Sequence, residues 1–415
     1  MGSGDKETPP SNVNLSDFYY STSRTKTEGG DSGGHARLIK NDILKTGVKR
    51  MDEIRARIST ISDPRHASYI KHQLSDILLI IMCGVLSGLD TLGDLALYAN
   101  EKQDFFKAAF GIAAIPSKAT FGRILSMLDG KAVGEAILDI LRTRYTSGNI
   151  IAVDGKAICS TGKSGNPHSA LQILSAYLTE SGVVLAQETI HEKSNEIPAF
   201  QQMLTYLDVQ GKTVTADAMH CQRRTSEAIV ARKGNYVFGL KENQPSLLAD
   251  VRMYFEDADD GGSFNTFQTI EKNAGRIEKR ICRKARDIAW LAAHKWPGLR
   301  SVFAVERIVD VRGMLSKETS YYISSSDVSA RELLGAVREH WKIESLHWLL
   351  DVTFSEDESR FLSENAHTTM NALRKFALTV HKNYLAASGK KRSLKANMLA
   401  ALIRPENLLD LFAFL

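Results

Sequence analysis

Three carboxylates stand where they could share one task. Asp154 follows the apolar run Asn149-Ile150-Ile151-Ala152-Val153, and Asp217 follows Thr213-Val214-Thr215-Ala216. Glu344 lies within His340-Trp341-Lys342-Ile343-Glu344-Ser345-Leu346-His347-Trp348-Leu349-Leu350-Asp351. Acids at the ends of two neighbouring strands face one cleft, and a third from a packed helix can close it. Hard oxygen donors of this kind suit one or two Mg²⁺ ions roughly 3.5–4 Å apart, with Mn²⁺ able to substitute. Such ions activate an attacking oxygen and steady a leaving one, which is the chemistry of phosphoryl transfer. Each acid also has an ordinary structural use. Asp-Gly is common turn text at Asp154, Asp217 can cap the helix after it, and a Glu on a charged helix is usually solvated. Their order along the chain makes them a set.

His340, Glu344, His347 and Asp351 fall at i, i+4, i+7 and i+11, one helical face, so a zinc site is an alternative reading of the same residues. No HExxH supports it, since His191-Glu192-Lys193-Ser194-Asn195 fails at its last position. Cys83, Cys159, Cys221 and Cys282 stand alone without C-x-x-C spacing, which points to reduced thiols rather than a zinc ribbon or a disulfide framework.

The elements that must carry the acids can be read from hydrophobic period. Strands are expected at Asn149–Lys156, Leu171–Leu178, Val183–Ile190, Thr213–Asp217 and Asn235–Leu240, with helices at Ile197–Leu207 and Gln222–Arg232. The order β-β-β-α-β-α-β is that of a ribonuclease H-like mixed sheet. After a helix at Pro245–Phe255 and a polar turn at Asp257–Ser263, strand text returns at Phe264–Glu271, Arg276–Ala285, Ser301–Val311 and Thr319–Ser324. Helix resumes at Ser329 and runs towards Leu350, followed by helices at Asn365–Leu385, Leu394–Ile403 and Leu408–Phe414.

The fold class read from this is α/β. A ribonuclease H-like catalytic core spans 148–256, a β-rich basic insertion 257–327, and a helix with the third acid plus a helical C-terminal tail 328–415. Residues 51–147 read as a helical N-terminal domain for DNA binding or assembly. Residues 1–50, rich in Gly, Ser and Thr, read as a disordered or appended extension that is dispensable for chemistry.

Composition sets the outer bounds. The chain has 415 residues, 43% of them apolar, and a net charge of +5. The longest apolar stretch, Ile77–Leu89, is shorter than the roughly 18–20 residues a membrane span needs, and no secretory signal is visible. The reading is a cytoplasmic protein without a membrane partner. Charge is concentrated: Glu271–Arg300 holds nine basic residues against three acids, a local excess suited to phosphate contact. Arg276, Glu278 and Arg280 share a strand face that can pair internally or grip a DNA strand. Arg283 extends this patch, and Lys241 and Gln244 follow the fifth strand as further candidate phosphate contacts. Trp290, Trp296 and Trp341 could stack on a frayed base, although core packing is the ordinary use of each.

The residues also resemble a known family, the DDE transposases of bacterial insertion sequences, specifically the ISAs-type group that includes the H-repeat-associated proteins. The resemblance runs from about Ile61 to Leu385. Its markers include Asp63-Pro64-Arg65, Thr120-Phe121-Gly122-Arg123, Val153-Asp154-Gly155-Lys156, Lys193-Ser194-Asn195-Glu196-Ile197, Thr215-Ala216-Asp217-Ala218-Met219-His220-Cys221-Gln222 and Lys241-Glu242-Asn243-Gln244. They continue with Gly275-Arg276-Ile277-Glu278-Lys279-Arg280, Trp296-Pro297-Gly298-Leu299, His340-Trp341-Lys342-Ile343-Glu344 and Leu346-His347-Trp348-Leu349-Leu350-Asp351. Two positions depart from the pattern. His220 stands where glycine is usual, and Ala157-Ile158-Cys159 replaces a more polar continuation. The resemblance implies Asp154, Asp217 and Glu344 as a DDE triad. It also implies a Mg²⁺-dependent enzyme that cuts transposon ends and joins them to target DNA, working as a homodimer or larger at the bacterial nucleoid. The alternatives are a metal-dependent nuclease without strand transfer and a domesticated DNA-binding regulator.

Overall fold

We describe the protein from a computed structural model that covers residues 32–145, 147–162, 169–190, 196–257, 263–273 and 275–415, with side chains from residue 45. The expected extension at 1–31, the failed zinc motif at 191–195 and most of the polar turn at 258–262 lie outside the described residues. All the strand text enters one sheet. Strands β1 (Ile150–Ile158), β2 (Leu171–Leu178), β3 (Val183–Ile190), β4 (Thr213–Ala216) and β5 (Asn235–Leu240) are followed by β6 (Phe264–Asn273), β7 (Arg276–Ala285), β8 (Ser301–Val311) and β9 (Met314–Ser324). Their spatial order is 3-2-1-4-5-9-8-7-6. β1, β4 and β5 pair in parallel, and every other pair is antiparallel. The strands of 257–327 therefore continue the sheet through the β5–β9 pairing, which joins Val237 to Ser324 and Leu240 to Tyr321.

Parallel neighbours require crossovers, and helices supply them. The first two helices in the chain are α1 (Ser32–Ile58) and α2 (Leu74–Leu86), and the next three are α3 (Leu92–Glu101), α4 (Gln103–Phe110) and α5 (Lys118–Met127). Next comes α6 (Gly130–Arg142), and the crossovers themselves are α7 (Glu196–Met203) and α8 (Arg223–Ala231). Then follow α9 (Pro245–Asp257), α10 (Ala330–His340), α11 (Lys342–Phe354), α12 (Glu364–Ser388), α13 (Leu394–Ile403) and α14 (Glu406–Ala413). Alternation sorts the side chains of the sheet. Ile151, Val153, Val214, Tyr236 and Phe238 pack with Phe200, Met203, Ile229 and Val251 on one side. Val237, Phe303 and Val305 pack with Leu333, Leu334 and Val337 of α10 on the other.

Two features differ from the sequence reading. The helix expected from Ser329 to Leu350 is two: α10 starts at a Ser329–Glu332 capping box and ends at His340, and α11 restarts at Lys342 after Trp341 (φ −64°, ψ −11°). The described part of the block expected at 1–50 is helical: α1 runs from Ser32 past residue 50 to Ile58, with Met51, Ile54 and Ile58 buried. Their spacing of three and four gives α1 one apolar stripe, and it is the helix itself that crosses residue 50.

The chain divides into two compact units. The first comprises the chain up to Met127 together with Tyr384–Leu415; within it α14 packs along α1. The second is Leu128–Asn383, in which the apolar stripe of α6 (Val133, Ile137, Leu141) lies against β3. The division thus falls at 127, not 147, and the tail after 383 belongs with the N-terminal helices. No helix among the described residues is long and apolar enough to cross a membrane.

Candidate active site

Parallel register brings the first two acids together. Val153 of β1 lies opposite Ala216 of β4 and is the last residue of that pairing, so Asp154 and Asp217 come next side by side. Asp217 follows the end of β4, whereas β1 does not end at Asp154 as the sequence suggested but runs on to Ile158, paired with β2. Asp154 is largely buried and Asp217 exposed, with side-chain exposures of 22% and 67%. Burial, and then the negative charge of Asp217, push the Asp154 carboxyl up to about 6. Asp217 moves the other way. A hydrogen bond from His340 holds it below the usual carboxylate range, with the charge of Lys241 adding to the effect.

The α10–α11 face delivers its side chains to these strand ends in order. His340 Nε2 lies 3.4 Å from Asp217 Oδ1, and its Nδ1 lies 3.2 Å from the Thr215 hydroxyl. A hydroxyl donating to Nδ1 leaves the Nε2 proton for Asp217. His347 Nδ1 is 3.6 Å from Asp154 Oδ2. Burial, with Lys375 and Lys156 nearby, drives His347 down to about 3, so it stands as a neutral imidazole and the contact is not an ion pair. Asp351 meets Lys156 Nζ at 2.9 Å. Glu344 sits between the two histidines. It is exposed, makes no hydrogen bond or ion pair among the described residues, and shares a cleft of about 340 Å³ with Asp217, Lys241, Arg252 and His340. Asp154 is one strand over from that lining.

Other sequence candidates have different surroundings. Gln244 donates its amide to the Cys221 carbonyl at 2.9 Å, and Asn243 donates to the Ala218 carbonyl at 2.8 Å, so this motif braces the turn after Asp217. Arg276 and Arg280 pair internally, at 2.9 and 2.6 Å from the buried Glu278, which Arg307 also contacts. These guanidiniums hold Glu278 below its ordinary range. Arg283 lies over the Phe264 ring. Trp296 is buried and Trp290 stacks on Tyr254, whereas Trp341 is 57% exposed.

Sequence reasoning missed Glu196. Its carboxylate lies within 2.7–3.0 Å of where a Cβ on Gly155 would project, so a side chain there would push the carboxylate from this position beside β1, and His220 Nε2 is 3.2 Å from it. His220 is fully buried, edge-on to Phe200. Also missed was a network behind the site. Lys156 bonds Asp357 at 2.9 Å as well as Asp351, with Glu356 at 3.7 Å, and Glu356 in turn holds the buried Arg374 at 3.2 Å. Lys156 and Glu196 stand within the family markers, as does Glu356-Asp357, but nothing in the sequence gave these residues a role.

Known proteins resemble this chain along most of its length. The family model described as "Transposase DDE domain" matches residues 145–380, and one described as "DDE_Tnp_1-associated" matches residues 55–140. The chain is 33% identical over 337 residues to "Putative transposase YncI" of Escherichia coli O157:H7, covering 78% of this chain and 85% of that protein. It is 29% identical over 371 residues to "H repeat-associated putative transposase YhhI" of E. coli strain K12, covering 85% and 98%. Among solved structures, a piggyBac transposase synaptic complex with hairpin DNA aligns with a TM-score of 0.42 and 11% identity, over 89% of this chain and 80% of that one. The first of these matches spans more than half of the chain and contains all three acids, and the chain belongs to the DDE transposase family.

Proposed function

We propose that Asp154, Asp217 and Glu344 are the acids with which this DNA transposase cuts transposon ends and joins them to target DNA. The observation that carries the reading is the Val153–Ala216 register, which sets two aspartates side by side where the β1–β4 pairing ends, one of them raised to about 6. Two adjacent carboxylates form a charge arrangement that a divalent cation relieves, and their hard oxygens suit Mg²⁺ or Mn²⁺. Among the described residues no three His, Cys, Asp or Glu side chains converge as a ready metal cage, so the fit rests on the aspartate pair. Glu344, on the rim beside Asp217, is the proposed third donor. When bound, the metal supplies activation of the attacking oxygen and stabilisation of the leaving one.

The chain's own residues do the rest. His340 keeps Asp217 ionised and oriented, and neutral His347 walls Asp154 from solvent. Exposed Lys241 beside Asp217 is the proposed phosphate contact nearest the acids. Arg276, Arg280 and Arg283 are proposed DNA contacts whose charges are partly used within the sheet, and Gln244 is proposed to act by shaping the loop under Lys241. The strand order 3-2-1-4-5 with parallel β1, β4 and β5 supports a ribonuclease H-like core. We read the partners as transposon ends and target DNA in the bacterial cytoplasm, held by a homodimer or larger assembly.

The test is strand cleavage and strand joining by the D154N, D217N and E344Q proteins with Mg²⁺ or Mn²⁺. Each should lose about a thousandfold or more of both reactions, as expected when a group stabilising the transition state is removed, while still binding DNA. Robust cleavage by E344Q would remove Glu344 from the set and make Asp351 the next candidate.

A further inference from the structure

The N-terminal unit carries a cleft of about 470 Å³ between the segment Asp63–His72 and helix α5. The segment is rigid by its own bonds. Arg65 grips Asp63 through Nε at 2.9 Å and Nη2 at 2.6 Å, and Nη2 also donates to the His72 carbonyl at 2.8 Å. His66 caps the short turn Ala67–Tyr69, with Nδ1 2.7 Å from the Ser68 hydroxyl. Yet the groups this ordered segment presents outward are not used by the fold. Tyr69 is 78% exposed, and Lys71 is exposed without an ion pair among the described residues. Across the cleft, Arg123 and Met127, one turn apart on α5, are exposed as well, and Arg123 also has no ion pair there.

No Asp or Glu lines this cleft. The Arg65 charge is neutralised by Asp63, which leaves Lys71 and Arg123 as two cations without an ion pair among the described residues on opposite walls, with the exposed Tyr69 ring and Met127 thioether lining the same cleft. Paired cations flanking apolar surface match a sugar–phosphate backbone: ammonium and guanidinium for phosphate oxygens, ring and thioether for deoxyribose. We propose that this cleft binds the phosphate backbone of duplex DNA through Lys71 and Arg123, a second DNA contact separate from the acids of the sheet. The inference rests on the chain acting on DNA, but not on which residues perform the chemistry. A backbone contact positions DNA without reading sequence, so it serves transposon ends and target alike.

The experiment is fluorescence anisotropy of a labelled duplex with the full chain, without divalent metal, from about 50 to about 200 mM salt. Each phosphate contact contributes about 0.9 to the slope of log affinity against log salt, so K71E/R123E should lower its magnitude by about 1.8. At the lower salt it should weaken binding by about tenfold or more. The milder K71Q/R123Q, checked for an unchanged thermal melt, should show the same direction. K107E/K395E makes the same charge change at exposed lysines outside the cleft and should leave the slope near that of the parent. An unchanged slope in K71E/R123E overturns the proposal. An equal loss in K107E/K395E also does, by tracing the effect to net charge. Inorganic phosphate that binds the parent and displaces no DNA would mark a small-anion pocket and overturn it too. The measurement contains no metal and no cleavage step, so its outcome does not depend on whether Glu344 proves essential, and the two readings fail separately.

Discussion

Asp154 is the residue at which the fold works against itself. Its carboxyl is protonated more readily in the folded chain than in the unfolded one, the reverse of a carboxylate held by a salt bridge. Charging it therefore costs stability as pH rises from about 4 to about 6, and the whole cost is present above about 6. A shift of about two pKa units corresponds to up to about 3 kcal/mol. D154N should accordingly be more stable than the parent by roughly 1–3 kcal/mol at neutral pH in chelator, with the difference vanishing near pH 4. Urea unfolding across that range measures it. A less stable D154N at neutral pH would mean that the carboxylate is compensated by a partner other than those around it here. The neighbourhood of Asp154 and Asp217 could be expected from sequence because an acid closing an apolar run shows in one dimension, although β1 continues beyond Asp154 to Ile158. Glu196 could not, since its place is defined by the missing side chain of Gly155 on another element. Arg276 and Arg280 could be read either as pairing internally or as gripping DNA, and both pair with Glu278. What the sequence did not show was Arg307, which completes the shell of Glu278 from a strand more than twenty residues away.

At the scale of elements, Lys156 ties β1 to α11 and to the turn after it. It stands two residues beyond Asp154, is 10% exposed, and meets Asp351 and Asp357 at 2.9 Å each. Asp351 lies seven residues after Glu344 on α11, two turns along the same face. The pairing therefore fixes the register of the helix bearing the third acid against the strand bearing the first. Lys156 is nearly buried but Asp351 and Asp357 are about a third exposed, so water screens part of what its removal strands, and K156M should cost about 1–3 kcal/mol, read by chemical denaturation. K156M/D351N/D357N should recover part of that loss, because the stranded carboxylates are gone. A triple variant no more stable than K156M would assign the effect to packing of the lysine stem. Element positions were mostly readable from period: β2, β3, β5, β7 and β8 run between the expected residues. The restart at Trp341 was not, because Trp341 keeps helical dihedrals and only the hydrogen-bond ladder is interrupted. Nor was the continuity of the nine strands, since β5–β9 pairing joins segments about eighty residues apart.

For the whole molecule, the N-terminal unit is built from both ends of the chain, which no local pattern could announce. Leu408, Leu409, Leu411 and Phe412 of α14 are all buried, and α14 lies along α1. Gly47 of α1 approaches the Leu409 backbone so closely that a Cβ there would collide with the carbonyl. Burying four such side chains contributes on the order of 6–12 kcal/mol at about 1.5–3 kcal/mol each, comparable to the net stability of a whole domain. Deleting Arg404–Leu415 should therefore loosen the N-terminal helices, with amide exchange rising most across α1 and α2. Deleting residues 1–50 should do comparable damage from the other side, because it cuts α1 just before Met51 and removes the Gly47 contact. A deletion that stops at residue 31 leaves α1 whole and should keep its protection. The composition of 1–50 had marked the entire block as dispensable. Its polar residues outnumber the apolar ones, and the close approach of Gly47 to Leu409 leaves no mark in an average. Hydrogen exchange on the three truncations separates the two readings. Equal protection of α1 after removal of 1–31 and of 1–50 would return the boundary to residue 50, and loss in the longer deletion alone would assign the second half of the block to the fold.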